Sequence, residues 1–244
     1  MLHASLLALA LFASPSPQPG YLYRATLIQA APGKLIEVLD LYKGGWPGLR
    51  DSGDEAPIAM RHSQGDRWDL LLLFPMGSFE QFYAPERVAK RAKAAASSAM
   101  RAGLDRLAAD IAHQEDVYVL GPPLEEVRGK LGNVNAGLFH IEMFEALPGQ
   151  RAGLLKEREM ENAYAKALGE PENLIFVRES GAAWDLFTVG PFRDLKHYAE
   201  SADVPAAKQE EAAKAAGFEG AKFVGPYLRT FIASHHDTLA VAVK

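Results

Sequence analysis

Short apolar segments alternate with amphipathic ones along this chain, and the order of the segments recurs. Tyr21 to Gln29 is rich in β-branched and aromatic residues and ends at the turn signal Ala31-Pro32-Gly33. From Lys34 to Tyr42, the residues Leu35, Val38, Leu39 and Tyr42 fall on one helical stripe. Strand, tight turn and helix are the expected elements. Pro57 to Ser63 and Arg67 to Phe74 are two apolar runs separated by Gln64-Gly65-Asp66, which predicts an antiparallel hairpin. A helical region is expected from Ser78 to about His113, followed by a short strand, Val117 to Leu120, before Gly121-Pro122-Pro123.

The second half repeats this order. Leu138 to Ala146 reads as a strand, Pro148-Gly149 as a turn and Arg151 to Leu168 as a helix. Asn173 to Glu179 and Trp184 to Val189 form a hairpin around Ser180-Gly181. Broken helical pieces from Phe192 to about Ser234 lead to a closing strand, Thr238 to Val243. The repeat is visible in the residues themselves. Trp68-Asp69-Leu70 recurs as Trp184-Asp185-Leu186, and the same offset of 116 pairs Pro32-Gly33 with Pro148-Gly149. Near the ends Ile111-Ala112 matches Ile232-Ala233 at an offset of 121, so the second copy carries a net insertion in its helical region.

Each copy is therefore β-α-β-β-α-β, two helices over one face of a four-stranded antiparallel sheet. Leu70 and Leu72 alternate with Leu71 and Leu73, so the third strand is apolar on both sides and needs cover on both. The helices cover one side; the sheet of the other copy is the simplest cover for the second. On the first strands, Tyr23, Ala25 and Leu27, like Phe139, Ile141 and Met143, form an apolar face expected under the helices. The mixed face, with Arg24 and Thr26 in one copy and His140 and Glu142 in the other, is expected to point between the sheets.

This tandem arrangement, with a Trp-Asp pair opening each third strand, resembles the dimeric α+β barrel (ferredoxin-like) superfamily, including its antibiotic-biosynthesis monooxygenase-like and NIPSNAP-like groups. The resemblance runs from about Tyr21 to Lys244 and implies an α+β fold of two modules packed sheet to sheet as an intramolecular barrel. Residues 21–132 would form the first module and 133–244 the second. It also implies cofactor-independent oxygenation or isomerisation of a small apolar or aromatic compound as the activity, if the protein is an enzyme. A non-catalytic structural or interaction module is the alternative, and a haem-binding protein a further one, with His113, His197 or His235 as conceivable iron ligands.

Composition narrows the function classes. With 48% hydrophobic and 23% charged residues and a net charge of −5, the chain suits a packed core and shows no basic footprint for nucleic acid. Cysteine is absent, so thiolate chemistry is excluded. Leu6 to Phe12 is a short apolar run followed by a Pro-rich stretch, the shape of an export signal within residues 1–20, which predicts a secreted or periplasmic protein without a membrane span. Because duplication supplies both halves, a monomer is expected.

A pocket between the two sheets, lined mostly by apolar groups with a few convergent polar ones, is the expected ligand site. His140, Glu142 and His62 are the candidate acid/base residues. Arg24, Thr26 and Arg178 are candidate ligand-binding residues, His62 and Arg178 being equivalent at the 116 offset. Trp68 and Trp184 are candidates for ring stacking, with packing as the plainer role. His235-His236-Asp237 suggests metal ligation, but helix capping is the preferred reading, so neither a metal nor a cofactor is assigned. Nucleophile-elbow, phosphate-loop and dinucleotide signatures are missing from the sequence.

Overall fold

The structure, a computed structural model, describes residues 20–132 and 136–243. The apolar run read as an export signal lies outside them. The described residues form eight strands: β1 (Tyr21–Ala30), β2 (Ile58–Gln64), β3 (Leu70–Gly77), β4 (Ile111–Gly121), β5 (Leu138–Ala146), β6 (Leu174–Ser180), β7 (Leu186–Phe192) and β8 (Ile232–Ala242). They close into a barrel in the order β1-β3-β2-β8-β5-β7-β6-β4, with every neighbouring pair antiparallel. The halves join through β2 with β8 and β4 with β6, so neither sheet keeps a free edge. Each step round the barrel reverses direction, so β1 and β5, four steps apart, run the same way. Equivalent residues of the two halves therefore gather at the same end.

Around the first half lie α1 (Leu35–Asp51), α2 (Phe79–Phe82), α3 (Pro85–Ala95) and α4 (Ser98–Asp110). Next come α5 (Leu124–Leu131) in the connection, then α6 (Arg151–Leu168), α7 (Leu195–Ala199), α8 (Ala206–Ala215) and α9 (Val224–Leu228). The region expected to be helical from Ser78 onward is thus divided. Pro85 opens α3, where its missing N–H costs nothing, and Ser97 caps α4 by accepting the Met100 N–H. Two strands begin earlier than expected, β4 at Ile111 and β8 at Ile232. The polar run His113-Gln114-Glu115-Asp116 concealed the first. Its backbone is nonetheless paired with β1 along its length, and a ladder needs no apolar side chains.

The barrel interior is a single apolar core that includes Tyr23, Ala25, Leu71, Val119, Phe139, Ile141, Phe176 and Phe187. Each large side chain buried there stabilises by ~1.5–3 kcal/mol. This reverses the facing expected for the first strands. The apolar face of β1 and β5 turns into the barrel, and Arg24, Thr26, His140 and Glu142 lie on the outer, helix-covered face. The interior is sealed by strands on every side and takes mainly apolar groups, whereas a helix layer can bring polar partners of its own. The third strands behave as expected: Leu71 and Leu73 face the barrel core, and Leu70 and Leu72 pack with Val38 and Leu39 of α1.

The repeated Trp-Asp pair has a structural use. Asp69 donates its N–H to Ile28 O and accepts the Ala30 N–H through Oδ2 at 2.8 Å; Asp185 makes the same two bonds to Phe144 and Ala146, the second at 2.9 Å. Both tie the start of the third strand to the end of the first. At the opposite end of the barrel Leu124, Val127 and Leu131 of α5 join the core and cover it.

Candidate functional site

The outer faces of β1–β4 and β5–β8 carry equivalent polar groups. On β5, His140 and Glu142 lie two residues apart and share a face, and Asp237 of β8 stands directly across from Glu142. On β1, Arg24 and Thr26 share a face, and Asp116 of β4 stands across from Thr26. The two copies thus hold Arg24, Thr26 and Asp116 in one half and His140, Glu142 and Asp237 in the other.

In the second half these groups form a dense ionic cluster beneath α6. His140 Nε2 is 3.3 Å from Asp237 Oδ1, and His235 Nε2 is 3.2 Å from Asp237 Oδ2. Thr188 of β7 donates its hydroxyl to Glu142 Oε2 at 3.2 Å. From α6, Arg158 donates Nε–H to Glu157 Oε2 at 2.6 Å, pairs with Glu161, and places Nη1 3.6 Å from Glu142 Oε2. Its guanidinium also lies over the Phe144 ring, 4.7 Å from the centroid. Arg158 is 2% exposed and Glu157 fully buried, so these charges must be balanced internally. Burial pushes the Glu142 carboxyl up, against the pull of Arg158 and His140. Burial opposes charging of His140, but its hydrogen bond with Asp237 and the surrounding carboxylates raise its pKa overall. The same hydrogen bond holds Asp237 below the usual carboxylate range.

The first half is more open. Arg24, Thr26, Leu41, Tyr42, Phe74, Leu104, Leu107 and Gln114 line a cavity of about 300 Å³ between the sheet, α1 and α4. Thr26 donates to Asp116 Oδ1 at 2.5 Å, while Arg24 Nε is 3.8 Å from the same oxygen and makes no hydrogen bond although it is buried. The guanidinium rests on the Phe74 ring, 4.5 Å from its centroid. Burial pushes the Tyr42 hydroxyl up to about 12. Leu41, Met100 and Gly103 also line a larger cleft of about 720 Å³ between α1 and α4, whose rim carries Glu37, Asp40, Asp51 and Asp110. The cavity therefore has a way out.

His62 and Arg178 are not brought together with His140 and Glu142. Arg178 is committed to Asp185 Oδ1 at 2.6 Å and to the Ala182 carbonyl, and His62 meets the edge of Trp68 with ring centroids 5.9 Å apart. Trp68 and Trp184 line a third cavity, about 410 Å³, at the barrel mouth with Leu27, Met143, Glu115 and His236. The candidates thus occupy three places, because alternate residues of a strand leave on opposite faces. His235 and Asp237 lie within β8, so the helix-capping reading of that run is also corrected. Asp116, Tyr42, Arg158, Glu157 and Glu161 were missed. The repeat offsets carried the missing signal: Asp116 maps onto Asp237, and Tyr42 onto Arg158.

No protein-family model matches the chain, and no curated protein sequence does. Solved structures do match over almost its whole length. An anthrone oxidase-like protein superposes with a TM-score of 0.57 at 12% identity, covering 93% of each chain. This chain has the α+β barrel fold. A candidate monooxygenase from Fusobacterium nucleatum shares the barrel with a TM-score of 0.54 at 9% identity, over 92% of this chain and 93% of its own. A second, from Lactobacillus acidophilus, gives 0.51 at 9% identity over 92% and 95%. In this α+β barrel both four-stranded halves belong to one polypeptide. No described helix is long and apolar enough to cross a membrane.

Proposed function

We propose that the protein binds a small, largely apolar, ring-bearing molecule beneath α1 and α4 of its first half and acts on it as a cofactor-independent oxygenase or isomerase. The observation that carries this reading is Arg24, among the described residues the one charged side chain lining a cavity that is mostly apolar but also holds Thr26, Tyr42 and Gln114, with a buried Nε–H that has no hydrogen-bond partner. Such a donor suits a phenolate, enolate or carboxylate oxygen. Removal of a proton from the ring or its substituent leaves an enolate whose oxygen Arg24 holds. Asp116, the carboxylate beside Arg24 and held by the cavity residues Thr26 and Gln114, takes that proton in this reading. The enolate then forms a carbon–oxygen bond with dioxygen, and the resulting peroxide takes up the abstracted proton and loses water, breaking its O–O bond to leave a new carbonyl; in an isomerisation the enolate instead regains the proton at another carbon. Tyr42 stays protonated at neutral pH and serves as a donor rather than a base. The oxidase-like and monooxygenase names borne by structural neighbours support the oxygenation branch of this reading.

Haem fits the described residues poorly. His197 accepts the Arg193 N–H through Nδ1, His235 is held between Asp237 and Arg229, and His113 is an exposed residue at the barrel mouth. Neither cavity beside α1 and α4 is lined by a histidine.

Fluorescence titration with 1-hydroxy-2-naphthoate tests the binding, and an oxygen electrode tests the turnover. Wild-type protein is expected to bind one molecule per chain. Arg24→Met should weaken binding roughly tenfold or more by loss of a charge-assisted hydrogen bond, and Leu107→Trp should fill the cavity and abolish it. Equal affinity in all three proteins would overturn the reading; binding with neither oxygen uptake nor an isomerised product would leave a non-catalytic binding module. Export and a monomeric state belong to the same proposal, and N-terminal sequencing and light scattering of secreted protein check them.

A further inference from the structure

We propose that His140, Glu142 and Asp237 form a binding site for one divalent first-row transition cation of the zinc or manganese class. One ligand atom from each of the three residues can be chosen so that all lie within 4.8 Å of one another. An ion with bonds of about 2.0–2.2 Å needs donors no more than roughly 4.4 Å apart, so small side-chain rotations close the site. One imidazole and two carboxylates favour such a cation over magnesium or calcium, which prefer oxygen alone.

Two further observations point to a missing positive charge. The first is the comparison with the other copy. There Asp116 faces the protein's own cation, Arg24, and an uncharged Thr26. In the second copy the guanidinium becomes an imidazole and the threonine a carboxylate, while the aspartate remains. Arg158 does not restore the balance, because Glu157 and Glu161 already enclose it. Three carboxylates, Glu142, Glu157 and Glu161, thus share one guanidinium, and Glu157 Oε1 is buried and accepts no hydrogen bond. The second is the way the ligands are held. Thr188 fixes Glu142 through Oε2, and His235 fixes Asp237 through Oδ2, leaving Asp237 Oδ1 beside His140 Nε2. Partners on the far oxygens of metal-binding carboxylates orient the near ones in this way.

The test uses full-length protein stripped with a chelator, titrated with Zn²⁺ by calorimetry and with Co²⁺ by visible absorption. The expected result is one ion per chain, with Co²⁺ bands displaced by Zn²⁺ and not by Mg²⁺. His140→Ala should weaken Zn²⁺ binding roughly hundredfold and His235→Ala roughly tenfold, the scale of lost ligands and of their outer partners. His236→Ala, which alters a neighbouring histidine outside the set, should change nothing. The double variant His140→Arg with Glu142→Thr gives the second half the residues of the first, including an internal cation, and should lose Zn²⁺ binding without a lower melting temperature. No Zn²⁺ binding by wild-type protein, binding that survives His140→Ala, or binding lost in His236→Ala would each overturn the proposal. The naphthoate titration reads the other half of the molecule and is independent of these outcomes.

Discussion

The two halves of this barrel share a frame and differ in what lies between sheet and helices. Each half uses the same strand order and the same aspartate, Asp69 or Asp185, to clamp its first strand to its third. Above that frame the first half leaves a cavity walled by Leu41, Phe74, Leu104 and Leu107, whereas the second fills the equivalent space with Arg158 and its carboxylates. Duplication thus preserved what closes the barrel and left the outer face free to specialise. The backbone ladder does not depend on which side chain stands at position 42 or 158.

That contrast can be broken at its strongest point first. Arg158→Met leaves Glu142, Glu157 and Glu161 without their cation and should cost ~3–5 kcal/mol, while Tyr42→Phe at the equivalent place should cost under ~1 kcal/mol. Denaturant unfolding of the two variants measures the difference, and equal costs would mean that the ionic cluster is not what holds α6. The clamps come next. Asp185→Ala frees the Ala146 N–H and the partly buried Arg178, for about 2–3 kcal/mol; Asp69→Ala frees the Ala30 N–H, for about 1–2 kcal/mol. Thr26→Val is smaller still, ~1 kcal/mol, since Asp116 can turn to water.

The smallest effect is a pH dependence confined to the second half. Burial raises the Glu157 carboxyl above its ordinary value of 4.5. The folded state then keeps this proton longer than the unfolded chain does, so its contribution to stability is present below that value and is lost as pH rises through the folded one. Glu157→Gln should therefore flatten the fall in unfolding free energy between about pH 4.5 and neutrality. Leu41, its counterpart, has nothing to titrate. A wild-type and variant profile of the same slope would remove Glu157 from the balance.

Much of the fold was legible because its signals are local or repeated. The β5 and α6 bounds agree residue for residue with those read from the sequence, and the doubly apolar third strands implied cover on both sides. The facing of the first strands was not legible. Periodicity separates Tyr23, Ala25 and Leu27 from Arg24 and Thr26 without saying which set meets the helices, and that depends on whether the barrel closes. His140 and Glu142 were identified as a pair because they lie two apart on one strand. Asp237 and Arg158 reach them from other elements, through strand pairing and helix docking that a single sequence does not display. His62 and Arg178 misled for the same reason: an equivalent position in both copies fixes a shared place in the fold, not a shared pocket.

If the two interfaces have specialised, they should take different guests independently. Calorimetric titration of wild-type protein with 1-hydroxy-2-naphthoate, run once on chelator-stripped and once on Zn²⁺-loaded protein, reads this in one measurement. One naphthoate bound per chain with the same affinity in both runs is the expected result. An affinity that changes with zinc, or naphthoate that binds only to one form, would contradict the division of the barrel into two separate sites.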